Sequence, residues 1–251
     1  MKVKSEDSGL PLQAYPVWDA TTRWFHWINV LSVLVLAGIG VVILNAGSLG
    51  VSGDGKVLLK TIHAWTGYVF ALNLLWRIIW GFFGGHYARW SAVLPVGGTW
   101  FRELKLYLRG LRSGNEPHYL GHNPLGRLMI GVLFLLLGTQ MVTGLVLAGT
   151  DLYMPPFGHE FAEWATGAGE DHSKLVGLKP GQKELLDPEG YASMREFRAP
   201  FINFHKWSFF ALMGFIPIHI AAAVFTDIRE RSGLISAMFT GSKVFARKPR
   251  D

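Results

Sequence analysis

The sequence of 251 residues contains no cysteine. This absence excludes disulfide bonds, thiolate ligation of an iron–sulfur cluster and the C-x-x-C-H attachment of c-type haem. The sequence also has no nucleotide-binding loop, metalloprotease motif or internal repeat, and nothing in it indicates hydrolytic chemistry. Any redox cofactor must therefore be held by other side chains, and histidine is the first candidate.

Charged residues are scarce, at 17% of the chain, while 50% of the residues are hydrophobic. Four apolar runs reach the roughly 20 residues needed to cross about 30 Å of hydrocarbon. They cover residues 24–44, 58–83, 125–148 and 202–226. Within the first, the stretch LSVLVLAGIGVVIL lacks the polar face of a surface helix. The sequence therefore predicts an all-α integral membrane protein: a four-helix transmembrane bundle forming one domain over residues 1–251, with an outer loop at 149–200.

Basic residues set the expected orientation. They concentrate in the second connection and in the C-terminal tail, whereas the third connection is rich in acids. By the positive-inside rule, both termini and the second connection are predicted to be cytoplasmic. The net charge of +6 then comes mostly from segments at a membrane surface, so no nucleic-acid partner is expected. The basic residues are Arg89, Arg102, Lys105, Arg109, Arg112, Arg229, Arg231, Lys243, Arg247, Lys248 and Arg250.

Four histidines lie in or near these apolar runs: His26, His63, His205 and His219. His205 and His219 are fourteen residues apart in one run, which places them on nearly the same helix face and roughly 21 Å apart. Ionisable groups inside a bilayer are costly and usually mark function. A single such histidine can also bond a neighbouring helix or line a polar cavity, and that alternative stays open.

The predicted orientation pairs these histidines by depth, His26 with His219 near the cytoplasmic side and His63 with His205 near the outer side. Each pair offers only two protein ligands, too few for a tetrahedral zinc site with four ligands, or three plus water. Haem fits better, because the porphyrin supplies four equatorial nitrogens. We therefore predict two stacked b-type haems with the four histidines as axial iron ligands, and we assign no catalytic residue.

The same fourteen-residue step leads from His26 to Gly40 and from His63 to Arg77. A glycine lets a macrocycle lie against the helix backbone. A guanidinium beside the inner haem can pair with a propionate carboxylate. The alternatives are that Gly40 only allows close helix packing and that Arg77 extends to the cytoplasmic interface.

Several segments together resemble the b-type cytochrome subunit of membrane-bound nickel–iron hydrogenases, within the broader group of bacterial four-helix di-haem cytochromes b. They are WDATTRWFHW, YLGHNPLGR, the His205–His219 pair and DIRERSGLISAMFTG. The resemblance implies bis-histidine ligation on the first, second and fourth helices, and a multi-pass location in the bacterial inner membrane. It also implies electron transfer between an extracytoplasmic redox protein and the quinone pool.

The chain departs from that family on its predicted outer side. In the hydrogenase subunits the start of the fourth helix carries a denser cluster of histidines, whereas here it reads FINFHKW, with His205 as its only histidine. The third connection is also longer than the resemblance leads one to expect. The acidic surface of this connection is expected to attract a positively charged partner, a hydrogenase-like subunit or a cytochrome c. The alternative is that the connection is an ordinary solvated loop. His159 and His172 within it are expected to be surface residues rather than ligands. The acidic residues are Asp151, Glu160, Glu163, Glu170, Asp171, Glu184, Asp187, Glu189 and Glu196.

The resemblance to the hydrogenase cytochromes, together with the geometry of the helices, predicts a quinone site near the inner haem, at Arg23, His122 and Arg127. These polar residues cluster at the starts of the first and third helices, where donors can meet a quinone carbonyl at the rim of an apolar pocket. Arginines at cytoplasmic helix ends are also expected from orientation alone. Two other functions remain open: a stand-alone superoxide:quinone oxidoreductase on the same scaffold, and a metal or proton transporter that uses the histidines as relays.

Overall fold

The computed structural model describes residues 11–115, 117–169, 171–246 and 249–250, and most of these residues are helical. The charged residues Glu170, Arg247 and Lys248 named above lie outside the described residues. The α-helices of the described residues are α1 Ala20–Leu44, α2 Gly53–Phe83, α3 Trp90–Val93, α4 Trp100–Ser113, α5 Pro124–Leu152, α6 Gly158–Thr166, α7 Pro188–Glu230 and α8 Ala237–Thr240. The described chain also includes the 3-10 turns His86–Ala88 and His172–Leu175 and the strands β1 Gln13–Pro16 and β2 Ser242–Phe245.

Four of these helices, α1, α2, α5 and α7, are long and apolar enough to cross a membrane. The shortest, α1, has 25 residues and is therefore roughly 37 Å long, more than the hydrocarbon thickness of a bilayer. The prediction of an all-α membrane protein with four spanning helices is confirmed. Which side of the membrane each terminus occupies stays a prediction.

Each long helix extends beyond its predicted apolar run, and α7 differs most, because it begins at Pro188 rather than at residue 202. Hydropathy marks only the apolar part of a helix, whereas the helix continues for as long as its backbone hydrogen bonds do. Asp187 caps this end, since its Oδ2 accepts a hydrogen bond from the Gly190 backbone N at 2.7 Å. Pro188 occupies the first helical position, where its missing N–H leaves no bond unmade.

The outer loop predicted at 149–200 is accordingly shorter and partly helical. α5 continues to Leu152, and α6 and the 3-10 turn His172–Leu175 lie between it and α7. The stretch between α5 and α7 has six acidic and three basic residues. The expected acidic character therefore belongs to a folded segment rather than to an irregular loop.

The protein divides into two compact units. Among the described residues, the first unit takes residues 11–27, 75–135 and 213–250, and the second unit takes residues 28–74 and 136–212. All four long helices contribute to both units. The single domain over residues 1–251 stays a prediction.

The first unit contains a two-stranded antiparallel sheet that the sequence analysis did not predict. β1 pairs with β2, from Gln13 opposite Phe245 to Pro16 opposite Ser242. The backbone N–H groups of Val17 and Trp18 donate to the Gly241 carbonyl at 2.8 and 3.0 Å. Trp18, Leu120 and Ala237 are part of the small apolar core beside this sheet. The N-terminal and C-terminal segments that carry the family resemblance are thereby held together.

In the second unit, a buried carboxylate joins three of the long helices. Asp151 on α5 accepts two hydrogen bonds from Arg198 on α7, from Nε at 2.5 Å and from Nη2 at 2.8 Å. Lys60 on α2 forms an ion pair with the same carboxylate. The side chains of Arg198 and Asp151 are only 8% and 10% exposed. Buried charges are tolerated when they are paired in this way.

Candidate functional site

The second unit brings His63 on α2 and His205 on α7 together. Their ring centroids are 6.3 Å apart and the ring planes are inclined by 71°. Two imidazoles that bind one metal ion from opposite sides, each at about 2 Å, place their ring centroids roughly 6 Å apart. The pair therefore has the separation that a shared axial site requires.

A threonine of α5 fixes the ring of His205. The Oγ1 atom of Thr143 lies 2.9 Å from His205 Nδ1 and donates its own hydrogen to the Thr139 carbonyl at 2.6 Å. Because the hydroxyl has a single hydrogen, it accepts from the Nδ1–H of His205. The lone pair on Nε2 of His205 is then available for a metal ion.

Two glycines lie against the same histidines. A Cβ atom on Gly40 would be 3.6 Å from Cε1 of His63, and one on Gly144 would be 3.5 Å from Cε1 of His205. Any larger side chain would extend into the space beside the rings. Gly40 therefore lies beside His63, where the fourteen-residue spacing predicts it, while its contact with a haem stays a prediction.

Sequence reasoning missed the contribution of α5 to this site. Gln140 donates from Nε2 to the His205 carbonyl at 2.9 Å and to Ser208 Oγ at 3.0 Å. With Thr143 and Gly144, it belongs to the stretch GTQMVTG in an otherwise apolar helix. Small and polar residues clustered in a membrane helix indicate close helix packing, and this signal could have identified α5 as the support for His205.

The first unit contains His26 on α1 and His219 on α7, whose imidazoles are within electrostatic range of each other. The Nδ1 atom of His26 is buried and has no hydrogen-bond partner among the described residues. Next to it along α1, Trp27 donates from Nε1 to the Met238 carbonyl at 3.0 Å, which ties this part of α1 to the C-terminal segment.

Arg77 of the first unit is buried rather than extended outward, with an exposed fraction of 2%. Its guanidinium carbon lies 4.9 Å from the ring centroid of Trp90 and 5.5 Å from that of Phe134. Nη2 donates to the Ala88 carbonyl at 2.9 Å, and Asp19 is within electrostatic range. Nη1 is buried and has no partner among the described residues. This atom can donate to an anionic group that enters the site.

Arg23 and His122 also lie in the first unit. Arg23 donates from Nη1 to the Phe239 carbonyl, while its Nε is buried without a partner in the described part of the chain. The ring of His122 lies on Trp18, with ring centroids 4.6 Å apart. Burial, reinforced by the positive charges of Lys243, Arg77 and Arg127, lowers the pKa of His122 to about 3. Its imidazole is therefore neutral at physiological pH.

Arg127 is occupied with backbone carbonyls. Its Nε donates to Leu94 O at 2.8 Å, and its Nη2 donates to Ser91 O at 2.6 Å. These bonds hold α3 and the residue that follows it. Asn123 caps the start of α5, because its Oδ1 accepts a hydrogen bond from the Gly126 N–H at 2.7 Å, and Pro124 is the first helical residue.

Comparison with known proteins identifies the family. The sequence pattern of the prokaryotic cytochrome b561 family matches residues 17–241. The chain belongs to this family. Membership implies haem b binding and electron transport, and with four long apolar helices it makes the chain a multi-pass membrane cytochrome b.

Relatives of this cytochrome b cover most of the chain. A probable Ni/Fe-hydrogenase B-type cytochrome subunit from Cupriavidus necator is 26% identical over 95% of this chain and 90% of its own length. One of the same description from Azotobacter vinelandii is 29% identical over 91% and 88%. A probable Ni/Fe-hydrogenase 1 B-type cytochrome subunit from Escherichia coli strain K12 is 30% identical over 62% and 71%.

The residues of both units fit haem b. Imidazole is the donor that bis-histidine haem ligation requires, and each unit offers two. His63, like His26, has a buried Nδ1 atom without a partner among the described residues. Buried polar atoms normally have a hydrogen-bond partner. The unpartnered atoms of His26, His63 and Arg77 are therefore consistent with a bound polar group that is not part of the polypeptide.

Proposed function

We propose that this cytochrome b carries electrons across the membrane between an extracytoplasmic redox partner and the quinone pool, through two haems. One haem is proposed to be held by His63 and His205, and the other by His26 and His219. The observation that carries the proposal is one histidine pair in each unit: the ring centroids of His63 and His205 lie 6.3 Å apart, and His26 and His219 are within electrostatic range of each other. One histidine of each pair lies on α7. On that helix His205 and His219 are fourteen residues apart, roughly 21 Å at the rise of an α-helix.

The chain holds and orients the haems. Haem b, when bound, supplies a reversible one-electron couple. Thr143 accepts a hydrogen bond from Nδ1–H of His205, which fixes the orientation of the ring and leaves Nε2 free to bind the haem iron. Gly40 leaves room beside His63. Arg77 is proposed to donate from its buried Nη1 to a propionate carboxylate.

The quinone site is proposed beside the first histidine pair, at Arg23, His122 and Arg127. A neutral imidazole on an indole ring combines a hydrogen-bonding group with an apolar wall, as small-molecule sites do. His122 is proposed to hydrogen-bond a quinone carbonyl, and the unpartnered Nε of Arg23 offers a second donor. Arg127 would contribute its charge, because its Nε and Nη2 are already bonded to the chain. Reduction of quinone to quinol consumes two electrons and two protons.

The partner is proposed to be a hydrogenase-like subunit, as the names of the relatives suggest, with a soluble cytochrome c as the alternative. The acidic segment between α5 and α7 is the proposed docking side, because six acids against three bases would attract a positively charged protein. The N- and C-termini are proposed to be cytoplasmic, so that protons for quinol come from that side and transfer is electrogenic.

The proposal is tested with the full chain in liposomes that contain a quinone. A membrane-impermeant reductant such as dithionite is added outside, and haem reoxidation and quinol formation are followed by absorbance. We expect quinol to form at least about tenfold faster than in protein-free vesicles, a difference of about 1.4 kcal/mol in barrier. His63→Ala should abolish this gain, whereas His86→Ala, which changes an exposed histidine, should retain it. A wild-type rate equal to that of empty vesicles would reject quinone reduction.

A further inference from the structure

The segment between α5 and α7 contains a cluster of three potential metal ligands that the proposed function does not use. His159 and Glu163 are four residues apart on α6, and His172 begins the 3-10 turn that follows. Nε2 of His159 lies 3.3 Å from Glu163 Oε1, and Nε2 of His172 lies 3.1 Å from the same oxygen. All three ligand atoms lie within 4.8 Å of one another.

The local fold holds this cluster together. α6 ends at Thr166 and is capped by Gly167, which adopts a left-handed conformation with φ of 59°. The Ala168 N–H donates to the Glu163 carbonyl at 3.1 Å, and the Asp171 N–H donates to the Ala168 carbonyl at 2.9 Å. Asp171 then caps the next turn by accepting from Ser173 N at 3.2 Å. These bonds fold the chain back so that His172 returns to Glu163.

We propose that His159, Glu163 and His172 bind one divalent transition-metal ion, with Zn²⁺ as the best match. Tetrahedral zinc with ligand bonds of about 2.0–2.1 Å places neighbouring ligand atoms roughly 3.3 Å apart. The two nitrogen–oxygen distances, 3.3 and 3.1 Å, agree with this separation. Imidazole and carboxylate are also donors that zinc accepts.

The three proposed ligands are open to solvent. His159 and His172 are 58% and 61% exposed, and Glu163 is 27% exposed, so an ion can enter directly from solvent. Three protein ligands leave a fourth position for water or for a side chain of another protein. A pair of histidine–glutamate ion pairs without a metal is the competing interpretation, and the binding test separates the two.

The test measures Zn²⁺ binding to the haem-loaded full chain in detergent, purified with a tag that contains no histidine. After treatment with a chelator, the protein is titrated with Zn²⁺ against a fluorescent zinc indicator. We expect one Zn²⁺ per chain in the wild type. His159→Ala, Glu163→Gln and His172→Ala should each weaken binding at least about tenfold, because loss of even a partner that only orients a ligand weakens metal binding by about this factor. Haem content, measured in every variant, should stay at the wild-type value.

Two matched variants serve as controls. His118→Ala changes a histidine that is 50% exposed and 4.0 Å from Glu230, and Glu160→Gln changes an exposed acid on α6. Both should retain wild-type zinc affinity. X-ray absorption at the zinc edge of the wild type should show two imidazole nitrogens among the ligands. The proposal is overturned if the wild type binds no more Zn²⁺ than the His159→Ala/His172→Ala double variant, or if the bound zinc has only oxygen ligands.

Discussion

In the second unit, hydrogen bonds with α5 hold His205 of the histidine pair, whereas in the first unit cationic side chains gather around His122, which is itself within electrostatic range of His219. His205 is bonded to Thr143 through its ring and to Gln140 through its carbonyl. In the first unit, Arg77, Arg127, Lys243 and His219 are all within electrostatic range of His122. Acids are fewer there, with Asp19 in range of Arg77 and Glu103 in range of Arg127.

This difference predicts different redox potentials for the two proposed haems. A ferric haem carries one more positive charge than a ferrous haem, so nearby cations favour the ferrous state and raise its potential. A hydrogen bond from the ring N–H of an axial histidine strengthens the ligand as a donor and favours the ferric state. We therefore expect the haem of the first unit to have the higher potential, so that electrons run from the second pair to the first.

The largest effect is expected from glycine substitutions that test the space beside the second pair. Gly40→Leu should remove the haem of the second unit, because its side chain would occupy the space next to His63. Gly38→Leu is the matched control, since a Cβ at Gly38 would meet no atom of the described residues within 4 Å. Haem content by pyridine haemochrome measures both. Equal haem content in the two variants would show that Gly40 has no role beyond helix packing.

A smaller effect is expected from removal of the positive charge of Arg77, which should change the redox potential of one haem. Arg77→Ala should lower the potential of the higher-potential haem by roughly 50–100 mV, the size expected for one unit charge about 8 Å away at an effective dielectric constant of about 20. Arg77→Lys keeps the charge and should recover most of the shift. Redox titration followed by absorbance gives both midpoints. A shift confined to the lower-potential haem would show that Arg77 acts on the haem of His63 and His205, and would contradict its assignment to the first unit.

The quinone site is tested next, at His122. His122→Ala should slow reoxidation of the reduced haems by a soluble quinone analogue about three- to tenfold, through loss of one hydrogen bond worth roughly 1 kcal/mol. Both haem spectra should be unchanged. His118→Ala, an exposed histidine four residues earlier, serves as the control. An unchanged reoxidation rate in His122→Ala would move the quinone site elsewhere.

The smallest effect is expected from the hydrogen bond to His205. Thr143→Val should raise the potential of the lower-potential haem by roughly 20–30 mV, because the axial ligand becomes a weaker donor. Thr143→Ser keeps the hydroxyl and should leave the potential unchanged. The same redox titration detects the change. Identical midpoints in the Val and Ser variants would mean that Thr143 only packs against His205.

Much of the fold was predictable because lipid imposes a simple rule: long apolar runs become spanning helices. The apolar runs located four helices, but not the extra fourteen residues of α7, because polar residues extend a helix without a hydropathy signal. The short sheet between β1 and β2 joins opposite ends of the chain. Such a long-range pairing of four-residue strands leaves no periodic pattern in a single sequence.

Part of the site was predictable, because the regular spacing of residues along a helix indicates which of them lie on one face. Helical spacing indicated that Gly40 would lie beside the outer pair, and the structure has it next to His63. The same reasoning did not find Thr143 or Gln140, since α5 contributes no histidine and its contacts depend on how helices pack. It also expected His159 and His172 to be surface residues rather than ligands. Helical spacing brings His159 to Glu163, but only the fold of the turn after α6 brings His172 there.

The central claim is that two separate histidine pairs hold two haems, and haem content in four single variants tests it most directly. The wild type should contain two b-type haems per chain, with two resolvable midpoints. His26→Ala and His219→Ala should both lose the higher-potential haem, and His63→Ala and His205→Ala should both lose the lower-potential haem. One haem per wild-type chain, or any other grouping of the four variants, would contradict this account.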